Sequence, residues 1–405
     1  MKWPAKRIAE SSPKSFGMYE QALKLMAQGQ DVIHLEVGRP SFDTPQHIKA
    51  AAIKSLNDGN VHYGEFSGDF KLREAICNKL TAYNKLTVHA DEVLVTNGLT
   101  HAAYAVFMAA VDEGDEVILL EPYYPQHINK IELAGGKVIT APLDSANGYA
   151  IEGALIEPLI TEKTRMIVIV NPANPTGRVF SRDELQIVAD LAVKHDLLVL
   201  SDEVYDQIVY GASQHISIAS LPGMRERTFS CFAYTKAFAM DGWRLGYVAC
   251  DEKFMQALLI ITVNDVAHVN VFIQAGALAA LTGPQDCLTE MLAEDDRRRQ
   301  LVSRRLNEID GIDCPLPQGT IYSFPDISAY GIPSAQMAEE ILSETRVVTE
   351  AGSFYGVAGE GHLRICFGAE TYDRIDEAMN RLHKYFESKN ITASHRDTFD
   401  RTAPA

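Results

Sequence analysis

The sequence predicts an α/β protein whose central sheet is mostly parallel and sandwiched by helices. Apolar runs of strand length recur at residues 92–95, 116–120, 137–139, 166–170, 197–200 and 246–249. They are continuous rather than alternating, as strands buried on both faces require. Between them lie helical patterns, the clearest at residues 181–195, where Ser181 and Glu184 make a capping box ahead of an amphipathic run. Alternation of the two is the mark of βα units.

After about residue 285 the pattern changes to a long charged helix at 288–308, followed by strands and helices of mixed character. The expected division is a large domain at 46–284 and a smaller α+β domain built from 1–45 plus 285–387. Within the charged helix, the run Asp295 to Arg299 reads as a solvated face, since mixed charges at helical spacing usually are. Residues 388–405 are polar and aperiodic and read as a flexible tail.

A chain of 405 residues with 46% hydrophobic content is long enough for two lobes. Its formal net charge of −17 argues against nucleic acid and anionic membranes as partners, because both are recognised by clustered Lys and Arg. The six cysteines are scattered with no CxxC pair, so neither a metal site nor a disulfide framework is indicated. With no apolar run long enough to span a membrane, the sequence reads as cytoplasmic.

The candidate functional residues fall just past predicted strands, where open α/β sheets bind their ligands. Lys236 lies eight residues before Arg244 in an apolar run. Burial there would depress the amine pKa and make Lys236 a nucleophile able to hold an aldehyde, while Arg244 grips a phosphate; a surface lysine at a hairpin is the alternative. Asp202 follows the strand at 197–200 and can keep a pyridine nitrogen cationic, unless it is only a helix N-cap. Tyr205 can donate to a phenolate oxygen. Asn174 sits in a turn of two Asn-Pro steps, which forces extended backbone after the strand ending at 170.

Three more segments complete the set. Gly98, Leu99 and Thr100 lie between a strand and a helix beginning near His101, where free N–H groups make a phosphate seat. Tyr124 offers an aromatic face, and His127 can brace Asp202 from behind. Arg364, alone in an apolar strand-like run, suits bidentate capture of a carboxylate.

Taken in order, these pieces resemble the pyridoxal-phosphate-dependent aminotransferases of fold type I, class I/II, the aspartate aminotransferase-like enzymes. The segments Asn-Pro-Thr-Gly at 174–177, Ser-Asp-Glu-Val-Tyr at 201–205 and Lys-(x)7-Arg at 236–244 carry the likeness, which extends from residue 35 to Arg364. The resemblance implies pyridoxal 5'-phosphate as cofactor, held by a Schiff base to Lys236. It makes Lys236, Asp202 and Tyr205 the catalytic set. Gly98, Leu99, Thr100, Tyr124, Asn174, Thr235 and Arg244 would complete the cofactor site. Gly38, Asn174 and Arg364 would bind the substrate. It further implies that Tyr63 reaches the phosphate of a neighbouring subunit, hence a homodimer with shared active sites. The implied reaction moves the amino group of an L-amino acid to a 2-oxo acid. Elimination, replacement, cyclisation or oxidation of an amino acid would use the same residues. Two features depart from the family pattern. Ala233 stands where a phosphate-binding serine is usual, leaving Thr235 as the nearby hydroxyl, and Arg39 and Ser41 occupy loop positions that are commonly acidic. A regulator carrying a DNA-binding domain is disfavoured by the acidic charge and the short stretch before residue 35.

Overall fold

The computed structural model describes residues 3–9 and 17–391. A short strand β1 (Ile33–His34) precedes the main sheet. That sheet has seven strands: β2 (Val93–Thr96), β3 (Glu116–Glu121), β4 (Lys137–Pro142), β5 (Thr164–Val170), β6 (Leu198–Asp202), β7 (Thr228–Ala233) and β8 (Gly246–Ala249). Their order is β2-β8-β7-β6-β5-β3-β4, and β8 alone runs antiparallel to its neighbours. The carboxyl ends of the other six therefore share one edge with the amino end of β8. Segments 97–100, 122–127, 171–174, 202–205 and 234–245 all emerge at that edge.

Five strands coincide closely with the predicted runs, and β8 matches its run residue for residue. One strand is absent from the sequence reading. β7 holds Thr228 and Ser230 between aromatic and sulfur side chains, and both hydroxyl residues are fully buried in mid-sheet. Its composition hides it from a search for aliphatic runs. The helix Arg182–Lys194 has Ser181 as its N-cap, with Ser181 N donating to Glu184 Oε2 at 2.9 Å and Glu184 N donating to Ser181 Oγ at 3.3 Å. Such a cap contributes about 1 kcal/mol.

Beyond residue 285 the helix Asp286–Asn307 is followed by β9 (Tyr322–Ser323), β10 (Val347–Val348), β11 (Glu350–Ala351) and β12 (Leu363–Cys366), then the helix Tyr372–Glu387. β11, β12 and β9 form an antiparallel sheet, while β10 pairs in parallel with β1. One apolar cluster joins Met18, Ile33 and Leu35 to Val302, Ile341, Ile375 and Leu382. The N-terminal segment is thus packed against the C-terminal elements. Of the expected tail, residues 392–405 lie outside the described residues.

The expectation that residues 295–299 form a solvated face is wrong. Asp295, Arg298 and Arg299 are buried, and only Asp296 and Arg297 face outward. Each buried arginine has a partner outside the helix, which no helical periodicity shows. Arg298 Nη1 donates to Ser41 Oγ at 2.8 Å, its Nε donates to Glu294 Oε1 at 3.1 Å, and its guanidinium lies 4.8 Å from the centre of the Phe42 ring. Arg299 donates to the Pro317 carbonyl at 2.5 Å and covers the Tyr210 ring at 4.5 Å. Planar guanidinium groups stack and bond in this way without losing their charge.

Candidate active site

Lys236 lies in the turn joining the antiparallel strands β7 and β8. The hairpin reading of this segment is correct as topology, yet the amine is turned inward. Its Nζ donates to the Gly38 carbonyl and lies 5.9 Å from the centre of the Tyr205 ring. Burial lowers the Lys236 pKa to about 8, with Arg364 and Arg244 adding to the effect and Asp241 opposing it. A sizeable fraction of the amine is therefore neutral near physiological pH.

Asp202 is the last residue of β6 and is 2% exposed. No helix follows it, so it is not an N-cap: Oδ1 accepts from Val204 N at 3.3 Å, closing a local turn. Its Oδ2 meets His127 Nε2 at 3.1 Å. Burial depresses the His127 pKa, and the contact with Asp202 only partly offsets it. The Phe107 and Tyr124 rings stand edge-on to the imidazole at 5.9 and 5.3 Å.

The segment expected to seat a phosphate lies where β8 abuts the turn after β2. Gly98 has φ +79 and caps the helix Leu99–Ala110, which begins two residues earlier than expected and so puts Leu99 and Thr100 in its first turn. A β-carbon on Gly98 would stand 2.6 Å from Arg244 Nη2, so the guanidinium lies directly over the helix N-terminus. Arg244 is itself held at φ +53, with Nη1 donating to the Asp241 carbonyl at 2.8 Å. Unpaired N–H groups, the helix dipole and a guanidinium converge on one anion position.

Arg364, from β12, is buried on the opposite wall. Nη1 donates to Asn174 Oδ1 at 3.1 Å, Nη2 donates to the Glu36 carbonyl, and Nε has no partner among the described residues. The guanidinium stacks on Tyr322 and Tyr355, at 4.3 and 5.0 Å from the ring centres. Tyr322 carries no sequence signal, yet it ties the site together. Its hydroxyl shares a 2.8 Å hydrogen bond with Tyr205 and fills the space where a β-carbon on Gly38 would stand. No local motif surrounds Tyr322; only the packing of β9 against β12 brings it here.

The chain thus gathers Lys236, Asp202, Tyr205, Asn174, Arg364 and Gly38 about one crevice, with Tyr124 beside His127 and Gly98, Leu99 and Arg244 together at the helix N-terminus. Thr235 adjoins Lys236 in the turn after Ala233. The loop 38–45 is fastened over this crevice by Thr44, which donates to the Ala239 carbonyl at 2.5 Å and accepts from Trp243 Nε1 at 3.1 Å. Tyr63 takes no part in these contacts: it is 91% exposed, with its ring edge-on to His268 at 5.5 Å.

A family model for aminotransferases of class I and II matches residues 30–382. The chain belongs to that family. This aminotransferase is 39% identical over 366 residues to the aspartate aminotransferase of Pyrococcus abyssi, a match covering 90% of the chain and 94% of the relative. It is 36% identical over 370 residues to aromatic-amino-acid aminotransferase 2 of Thermococcus litoralis, covering 90% and 95% respectively. The structure of Thermus thermophilus aspartate aminotransferase with maleate superposes with a TM-score of 0.89 at 30% identity, over 95% of this chain and all of that one. The fold is accordingly fold type I, and the chain is a transaminase. Its relatives favour amino-group transfer over elimination, replacement, cyclisation or oxidation.

Proposed function

We propose that this transaminase binds pyridoxal 5'-phosphate through Lys236 and moves the amino group of an L-amino acid to a 2-oxo acid. The observation that carries the reading is the position of Lys236: an amine with a pKa lowered to about 8, set among an anion seat, a buried carboxylate and a buried guanidinium. The donor set fits the cofactor. The helix at Leu99–Ala110 and Arg244 suit its phosphate, Asp202 its ring nitrogen, Tyr205 and Asn174 its ring oxygen, Tyr124 its ring face and Lys236 its aldehyde. When bound, the cofactor supplies an electron sink for the carbanion left at the substrate α-carbon.

The residues divide the rest of the work. Arg364 clamps the α-carboxylate with help from Asn174 and the Gly38 backbone, fixing which α-bond faces the ring. Lys236 is the base that would take the proton from the substrate α-carbon and hand it, across the intervening nitrogen, to the carbon that carried the cofactor's aldehyde. Asp202, held by His127, is the carboxylate that would face the cofactor's ring nitrogen. Tyr205, whose hydroxyl is held by that of Tyr322, would donate to the cofactor's ring oxygen.

We also assign Tyr63 to the phosphate seat of a second copy, making the enzyme a homodimer with shared sites. Support comes from the exposed apolar stretch around it, where Val61, Phe66 and Phe70 are each about half exposed. A cytoplasmic location accords with six unpaired cysteines. We further propose a large domain at 46–284 and a small domain formed by 1–45 plus 285–387, a division supported by the apolar cluster that joins Ile33 and Leu35 to Val302, Ile341 and Ile375. Arg39 is exposed at the loop over the crevice and is the candidate for reading a substrate side chain.

The test is a single half-reaction. The purified enzyme is mixed with individual L-amino acids, the relatives' aspartate and aromatic classes first, with no oxo acid present. One equivalent of oxo acid per site without ammonia is the expected result; catalytic ammonia release would overturn the reading.

A further inference from the structure

Directly across the β11–β12 ribbon from Arg364 stands Glu350, its paired residue in the antiparallel register, so the two side chains share one face. Glu350 is 5% exposed. It makes no hydrogen bond to Arg364. Its Oε2 accepts from Met18 N at 3.4 Å, and its carboxyl fills the space where a β-carbon on Gly17 would stand. The N-terminal segment therefore closes the outer side of this carboxylate.

The other groups around the spot are few. Glu36 from the loop after β1 gives its carbonyl to Arg364, while its carboxylate pairs with His34 at 2.7 Å and keeps one oxygen unpartnered among the described residues. Tyr322 and Tyr355 flank the guanidinium. One fixed cation thus faces two internal carboxyl groups before any substrate arrives. A substrate α-carboxylate would be the third anion about a single guanidinium, out of water, and like charges so placed cannot all stay ionised at low cost.

We propose that Glu350 is the internal counter-charge of Arg364 and a positioning residue for the substrate carboxylate, taking up a proton when that carboxylate binds. Ionised Glu350 competes with the substrate for the guanidinium field; protonated Glu350 leaves the field to the substrate. Burial raises the Glu350 pKa to about 7, with Arg364 opposing, which places the exchange within the working range. The proposal rests on Arg364 as the carboxylate clamp.

The experiment compares KM and kcat of the wild-type holoenzyme and Glu350→Gln for the responding amino acid, between about pH 6 and about pH 9. The titrations of Lys236 and of the substrate amine are common to both enzymes, so the difference isolates Glu350. The expected result is a wild-type KM that rises with pH at least about threefold more than that of Glu350→Gln, with kcat nearly equal in the two. Parallel KM profiles, even if offset, would mean a merely structural role and overturn the proposal. Gln preserves the acceptor for Met18 N; should it nonetheless fail to fold, Glu350→Asp must weaken the pH arm, and an arm of wild-type size would overturn the proposal. Arg364→Leu serves as the control. A large KM increase there with parallel Glu350 profiles sinks the proposal alone, whereas an unchanged KM sinks the clamp assignment and the proposal with it.

Discussion

His127 Nε2 stands 3.1 Å from Asp202 Oδ2, and the two side chains are only 1% and 3% exposed. Burial depresses the imidazole pKa, and Nε2 is the ring nitrogen turned to the carboxylate, while Nδ1 has no partner among the described residues. Asp202 is thereby held in orientation by His127. His127→Ala should lower kcat by about tenfold to a hundredfold with little change in KM, the scale seen when an orienting hydrogen bond behind a reactive group is removed. Steady-state kinetics with cofactor in excess check this; an unchanged kcat would dismiss the role.

Tyr322 contributes a hydroxyl to Tyr205 and a ring face to Arg364. Tyr322→Phe removes only the first and should cost about 1 kcal/mol in kcat/KM, roughly a fivefold loss. Tyr322→Ala removes both, and its larger loss should appear mainly in KM.

Gly98 sits at φ +79 beneath the Arg244 guanidinium. Gly98→Ala should strain the cap by about 1 kcal/mol and push Arg244 off the phosphate seat. The expected result is cofactor dissociation roughly tenfold easier, read by dialysis and reconstitution.

Arg298 is the buried link between the helix Asp286–Asn307 and the loop at Ser41 and Phe42. Arg298→Met strands Asp295, 3.5 Å away, as an unpaired buried carboxyl and should destabilise the fold by about 3–5 kcal/mol. Adding Asp295→Asn should recover part of that loss. A double variant no more stable than the single one would show that the pair is not coupled.

The sign of the Lys236 shift gives a pH prediction. Its amine, brought to about 8 by burial, loses its proton well below the usual lysine range. Recombination of the apoenzyme with pyridoxal phosphate needs the neutral amine, so its rate should climb through about pH 8 and level off above it. A rate still climbing in the ordinary lysine range would contradict a buried amine.

Much of the site is legible in the sequence because it is local. Asp202 and Asn174 lie at or just past strand ends that are visible as the close of an apolar run, whereas Lys236 stands out by its own apolar run and its eight-residue spacing to Arg244. What is hidden depends on contacts between distant segments. Tyr322 meets Tyr205 across 117 positions, and Arg298 meets Ser41 across 257. Neither has a neighbour in sequence that announces its partner. The buried charges at 295–299 show the hazard plainly, since a helical charge pattern reports spacing and not what packs against it. β7 is hidden for a different reason: a strand at the centre of the sheet can bury hydroxyls against its neighbours, and Thr228 and Ser230 dilute its apolar signature.

The most direct test of amino-group transfer through Lys236 is to follow nitrogen itself. An amino acid labelled with heavy nitrogen is incubated with an unlabelled 2-oxo acid and either the wild-type enzyme or Lys236→Ala. Label in the newly formed amino acid with the wild type, and none with the variant, is the predicted result. Labelled ammonia, or transfer undiminished in Lys236→Ala, would contradict it.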